Sequence, residues 1–447
     1  MKHRFLSSLL LAGLASTGTA CGDDDATPPM ESRTFEVTVE NVSTVYDFPA
    51  SGAFDTPVGM SAPAPIGPGE AYEFEFSAAP GSALSFVTMF VQSNDWFYAP
   101  DGAGIALWDG DMQVSGDVTD QLLLWDAGTE EDEEPGLGAD QAPRQAGPDT
   151  GAADDDDTVR EAVDDWGNVP DATDVLAVTI TPTGPASFRA RIENVSDATT
   201  LMTSDGGSVA VPLAPGVWVV HGGDDPLFTS GEADRGEGLE GIAEDGAAST
   251  LASDLDGRTG IVSPISPGVA AVHTMPGILF SEGMADADDG LEALAEDGDP
   301  TGLLASLLAN SEVSVAEAFG TPLGGAGAAP AMPGESYVFQ LTASEGDRLS
   351  LATMYVQSND LFFAPSDDGI DLFPGGTALD GDVTSSFLLW DAGTEVNEAP
   401  GVGLSQAPRQ AAPDTGADEA GVVQEVDDGY DYPTVSDVIR VTVTPVG

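Results

Sequence analysis

Carboxylates recur at fixed places in this chain, in a setting suited to holding a hard cation. VQSNDWF (91–97) carries Asp95, and VQSNDLF (356–362) carries Asp360. LLWDAGTE, at 123–130 and again at 388–395, carries Asp126 and Glu130, then Asp391 and Glu395. A carboxylate beside large apolar residues is costly to bury unless a cation or donors satisfy it. Three carboxylates with backbone carbonyls are hard oxygen ligands of the kind calcium takes. The EF-hand spacing is absent. With 77 acidic residues in the chain, chance clusters are common, so the weight falls on geometry. If the apolar strands before the two loops run the same way, their carboxylates meet at one end of a sheet.

The elements that must position these residues are written twice. An offset of 265 runs without a gap from Phe54/Phe319 to Gly151/Gly416. It includes QAPRQA (141–146 and 406–411) and PDTG (148–151 and 413–416). DVLAVTITP (174–182) matches DVIRVTVTP (437–445), and FEVTVENVS (35–43) matches FRARIENVS (188–196). A further duplication at offset 52 pairs LAPGVWVVH (213–221) with ISPGVAAVH (265–273), and GLEGIAEDG (238–246) with GLEALAEDG (290–298). The collinear reading is two homologous domains, 34–183 and 184–447, the second enlarged by a duplicated loop and short-helix insert at about 198–310. Alternation at period two in FEVTVENV and AYEFEFSA predicts half-buried antiparallel strands; the more continuously apolar LSFVTMFVQ and LSLATMYVQ read as central strands. The expected fold is all-β: two tandem antiparallel β-sandwiches. One use of the insert is to cover a sheet edge of the second domain.

Composition narrows the function. The formal net charge is −65, which opposes binding to nucleic acid or anionic lipid and favours cations. Lys2 is the sole lysine, a bias that suits a salty habitat or an acidic secreted protein. Residues 1–20 read as an export signal: a basic start, then the short apolar run FLSSLLLAGL (5–14). Cys21, the only cysteine, stands where a bacterial lipoprotein is cleaved and lipidated, although Gly18 replaces the commonest lipobox residue. Residues 21–33 then form an acidic, proline-rich tether, and the membrane is reached only through that anchor. The alternative is ordinary secretion. A lipidated Cys21 leaves no disulfide within the chain.

The remaining polar residues have simpler roles. Asp117 and Asp382 are expected in turns, Trp125 and Trp390 in the core, and Asp154 to Asp157 in a solvated loop. Arg144 and Arg409 are placed to pair with a carboxylate and fix a loop. The N-V-S triplets at Asn41 and Asn194 lie in strand-like stretches. His221 and His273 take matching places in the two short repeats, but no nucleophile elbow, zinc-protease motif, P-loop or dinucleotide fingerprint accompanies them. No catalysis is expected. The alternative function is a surface glycan-binding or hydrolytic module with Trp96 and Trp218 stacking on sugar rings.

The SND-W-F block, the WDAGTE block and the Pro-Gly-rich strands between them resemble the spondin N-terminal domain family. That resemblance implies a secreted β-sandwich with bound calcium, linked to adhesion and matrix attachment. Family members show Ser-Pro-Asp-Trp and Asp-Ala-Gly-Thr-Asp-Ser-Gly stretches. Here these become Ser93-Asn94-Asp95-Trp96 with Asp126 to Glu130, and Ser358-Asn359-Asp360-Leu361 with Asp391 to Glu395. The second copy lacks the tryptophan, and both carry Glu for the second Asp. The resemblance implies Asp95, Asp126, Glu130, Asp360, Asp391 and Glu395 as calcium ligands, and an extracellular protein or polysaccharide as partner.

Overall fold

The computed structural model describes residues 32–446. The export signal, Cys21 and most of the acidic tether lie outside the described residues. The strand pairs are antiparallel, and the chain builds two lobes of the same design.

In the first lobe, β2 (Ala50–Phe54), β4 (Ala83–Phe90), β5 (Trp96–Pro100), β6 (Leu122–Asp126), β7 (Arg160–Glu161) and β10 (Leu213–His221) form one sheet in the order β7-β6-β5-β4-β10-β2. Facing it are β3 (Ala71–Ser77), β9 (Ser187–Asn194) and β8 (Leu176–Gly184), in that order. The inner faces share one core that includes Phe54, Phe74, Phe76, Phe86, Trp96, Ile180, Phe188 and Trp218. On the outer face of the larger sheet lie α1 (Leu239–Asp245) and α2 (Ser249–Gly257), packing Leu239, Ile242, Leu251 and Leu255 on Val87, Phe97 and Trp125. That sheet is therefore covered on both sides. This explains why ALSFVTMF is apolar without alternation while β1 (Arg33–Asn41) and β3 alternate.

The second lobe repeats this plan with β11 (Ile265–His273), β12 (Val313–Phe319), β14 (Arg348–Tyr355), β15 (Leu361–Pro365), β16 (Phe387–Asp391) and β17 (Gln424–Glu425). Their order is β12-β11-β14-β15-β16-β17. α3 (Leu291–Asp297) and α4 (Thr301–Ala309) cover its outer face. The smaller sheet is β13 (Ser336–Ala343), β1 (Arg33–Asn41) and β18 (Ile439–Val446), with β1 in the middle.

The all-β sandwich expectation therefore holds, but the sheets do not divide at 183/184. β1 runs beside β13 and β18, with Val37 opposite Phe339 and Val443. Its twin β9 takes the equivalent slot in the first lobe, between β3 and β8. The collinear reading gave each copy its own leading strand; the ladder instead places the first strand of the chain in the far sandwich. Both twins end on an asparagine that closes the sandwich the same way. Asn41 Nδ2 donates to the carbonyls of Ser263 and Ala331, and Asn194 Nδ2 to those of Ile66 and Val211. The two N-V-S asparagines are thus buried structural amides.

The insert needs a second correction. It is not an addition to the second domain, nor an edge cover. One unit, β10-α1-α2, serves the first lobe, and the other, β11-α3-α4, the second. β10 lies between β4 and β2, and β11 between β14 and β12, inside their sheets. The Pro-Gly-Val shared by the units reflects a close approach. A Cβ on Gly216 would stand 1.9 Å from the Val87 carbonyl oxygen, and one on Gly268 2.2 Å from that of Ala352.

Candidate metal centre

β4 and β6 both run antiparallel to the strand between them, β5, so they run the same way, and the loops after them emerge at the same end. Register sets Asp126 opposite Trp96, beside Asp95; in the second lobe Asp391 stands opposite Leu361, beside Asp360. The serine of each Ser-Asn-Asp turn shapes the entry. Ser93 Oγ donates to the Phe90 carbonyl at 2.7 Å and accepts from Trp96 N at 3.1 Å; Ser358 does the same with Tyr355 and Leu361.

Asp95 and Asp360 are fully enclosed. Asp95 Oδ2 accepts three bonds: from Thr129 N (2.7 Å), Thr129 Oγ1 (3.0 Å) and Glu130 N (3.1 Å). Asp360 Oδ2 accepts the same set from Thr394 and Glu395. The other oxygen, Oδ1, of each aspartate is buried without a hydrogen-bond partner. An enclosed carboxylate with one saturated oxygen and one without a partner presents a buried acceptor that a cation or a donor would satisfy. Asp126 and Asp391 each accept from the glycine two residues on, at 2.7 Å. Gly128 and Gly393 sit at positive φ (71° and 68°), in a turn that suits glycine.

The carboxylates named from sequence do not all converge. Asp360 and Asp391 meet Glu419, each offering an oxygen within 4.8 Å of the others. Glu130 turns instead toward Asp149 and Glu244, again within 4.8 Å. Its Oε1 accepts from Gly151 N at 2.6 Å, and Glu395 repeats this with Gly416. Two more acidic groups lie in the second lobe, Glu292–Glu296–Asp414 and Asp286–Asp288–Glu292. These acidic clusters are able to hold a metal ion. Sequence reasoning missed Glu419 and the helix glutamates Glu244 and Glu296. The signal for the helical pair was present in the duplicated GLE-x-x-AEDG.

Electrostatics agrees with the geometry. Burial pushes Asp360 up to about 7, helped by the neighbouring Asp391 charge. Asp126 rises to about 7, through burial first and Asp95 second, despite Arg160. Burial likewise drives Glu244 and Glu296 up to about 8. Carboxyls held above their ordinary range are poor as free anions in place, and a cation relieves them.

Several expected roles resolve here. Asp117 and Asp382 accept from the following Thr119 and Thr384 amides and so make turns. Arg144 and Arg409 do fix their loops, but through the carbonyls of Gly138 and Gly403 and glutamines, not through a carboxylate. Trp125 and Trp390 are core residues. Trp96 is fully buried, and Trp218 stacks on Phe74 with ring centroids 5.3 Å apart, so neither is exposed for a sugar ring. His221 and His273 pair through Nε2 with Ser85 and Ser350 (2.9 and 2.8 Å). Their Nδ1 atoms face backbone carbonyls and not an orienting acid. No protein-family model matches the chain, and no curated protein matches it.

Proposed function

We propose that this chain is an extracytoplasmic, lipid-anchored, calcium-binding protein of the spondin-domain type, one that works by interaction and not by turnover. The observation that carries the calcium reading is the convergence of Asp360, Asp391 and Glu419 around a carboxylate whose Oδ1 is buried and unpartnered. All three are hard oxygen donors from separate segments of the chain, so a bound ion would tie those segments together. Calcium suits such a set because it accepts about six to eight oxygens in flexible geometry, whereas magnesium keeps its waters and a strict octahedron. The Ser-Asn-Asp and Asp-Ala-Gly-Thr stretches that resemble the spondin family are the ones that build this corner in both lobes. The partner would be an extracellular protein or polysaccharide. A chain of net charge −65 is unsuited to nucleic acid or anionic lipid.

The test is thermal unfolding in high salt with EDTA, magnesium or calcium, on wild type and on Asp360→Asn plus Asp391→Asn. Calcium at about 100 times its Kd stabilises a site by about 2.7 kcal/mol. For a lobe of this size that is roughly 5–10 °C in Tm. Calcium should give the wild type such a rise beyond that seen with magnesium, and the variant should lose it. Equal responses to the two ions in both proteins would mean screening of the acidic surface, and the calcium reading would fail.

A further inference from the structure

Within the repeated carboxylate corner the two lobes differ in their charged residues. Offset 265 makes Asp95, Asp126, Asp132 and Asp154 the counterparts of Asp360, Asp391, Asn397 and Glu419. In the strand ladder Asp126 stands opposite Arg160, and Asp391 opposite Gln424. The first lobe therefore has one more acid (Asp132 for Asn397) and one more base (Arg160 for Gln424) than the second.

The base sits in the middle. Arg160 Nη2 lies 2.6 Å from Asp126 Oδ2 and 2.6 Å from Asp154 Oδ2, bridging them. Its Nη1 is anchored on the carbonyls of Asp156 (2.7 Å) and Thr158 (3.0 Å), so the guanidinium is fixed by the loop. In the second lobe no guanidinium stands between the counterparts Asp391 and Glu419. Gln424 is exposed, and Asp391 Oδ2 accepts from the neutral Asn397 amide at 2.9 Å. There Asp360, Asp391 and Glu419 converge within 4.8 Å, with Asp360 fully buried and its Oδ1 unpartnered. Asp95 Oδ1 is unpartnered as well, but Arg160 supplies positive charge beside it.

We infer that the second lobe takes a divalent cation of the calcium type between Asp360, Asp391 and Glu419, whereas the first lobe fills the equivalent place with its own Arg160. This rests on the calcium reading above and assigns it to one lobe. A planar guanidinium donating to two carboxylates does the same tying of loops that an ion would do, permanently and without regard to calcium concentration. This corner is then ion-dependent in the second lobe and ion-independent in the first.

The test is calcium stoichiometry by equilibrium dialysis of the full chain in high salt, with circular dichroism to check the fold of each variant. Asp391→Asn should lose one ion per chain relative to wild type, and Asp126→Asn should lose none. Gln424→Arg, at an exposed position, should also lose one; Arg160→Gln should gain one. If Asp126→Asn loses an ion as Asp391→Asn does, both lobes bind and the asymmetry is overturned while the calcium reading stands. If Gln424→Arg keeps its ion, the arginine does not substitute for it and the inference is likewise overturned. If wild type binds no calcium, the calcium reading itself has failed, and the inference falls with it.

Discussion

Phe35 offers a sharp test of the strand exchange. It lies near the start of the described chain, yet it is fully buried in the second lobe, edge-on to Phe373 with ring centroids 5.5 Å apart. In the ladder it stands opposite Leu341 on one side and Pro445 on the other. Phe35→Ala removes a whole buried ring from a site bounded by two strands, where the backbone has little freedom to collapse. Such truncations cost about 3–5 kcal/mol. At about 1.36 kcal/mol per factor of ten, amide exchange through unfolding of that lobe should accelerate by roughly 100-fold to a few thousandfold. Hydrogen exchange read by mass spectrometry resolves the place. Peptides covering Arg348–Tyr355 and Ile439–Val446 should exchange faster, while those covering Ala83–Phe90 should hold their protection. Phe188→Ala, the twin change, should do the reverse, because Phe188 packs on Phe76 and Trp108 in the first lobe. If Phe35→Ala loosens Ala83–Phe90 and spares Arg348–Tyr355, the leading strand belongs to the nearer sandwich and the pairing described here is wrong.

Two further outcomes are expected. Glu244 and Glu296 have folded-state pKa values raised to about 8, chiefly by burial. The folded protein therefore binds more protons than the unfolded chain between the ordinary glutamate range and pH 8, and its calcium-free stability should fall as pH rises through that window. Glu244→Gln plus Glu296→Gln should flatten the dependence of Tm on pH, and an unchanged slope would remove these glutamates as its source. At the other end of the chain, a lipid anchor on Cys21 predicts that cells making the protein incorporate labelled palmitate into it, and that Cys21→Ser abolishes the label; labelling that persists in the variant would refute the anchor.

What could be read from the sequence was local. Alternation in FEVTVENV gave the strand, with Phe35, Val37 and Val39 buried and the residues between them more open. The adjacency of Asp95 with Asp126, and of Asp360 with Asp391, followed from where apolar strands end. Partnership was not legible. β1 and β9 carry the same alternation and the same Glu-Asn-Val-Ser ending, so either fits either slot, and only the connections decide. Glu244 and Glu296 escaped notice because they reach the corner from helices packed on the outer face of a sheet; the duplicated GLE-x-x-AEDG marks them as repeated but not where they lie. Arg160 escaped because it lies just beyond the Asp154–Asp157 run, which alone was expected as a solvated loop, and belongs to no motif. Its meaning appears only when β7 sets it across from Asp126.

The placement of β1 also sets an order of assembly. The strands and helices of the first lobe all lie between Ala50 and Gly257, so that lobe has its full complement once roughly the first half of the chain has been synthesised. β1 is made earlier than any of them, yet its neighbours are Ser336–Ala343 and Ile439–Val446. Contacts so far apart in sequence are slow to form, because the entropy of closing the loop must be overcome before the ladder repays it. Through that interval β1 presents Phe35, Val37 and Val39 with unpaired backbone on both sides, while the slot between β3 and β8 waits for a strand of nearly the same pattern. The wrong occupant arrives first. β9 is joined to β8 by a tight turn, so the hairpin of Leu176–Gly184 and Ser187–Asn194 fills that slot at a far smaller closure cost than β1 would meet.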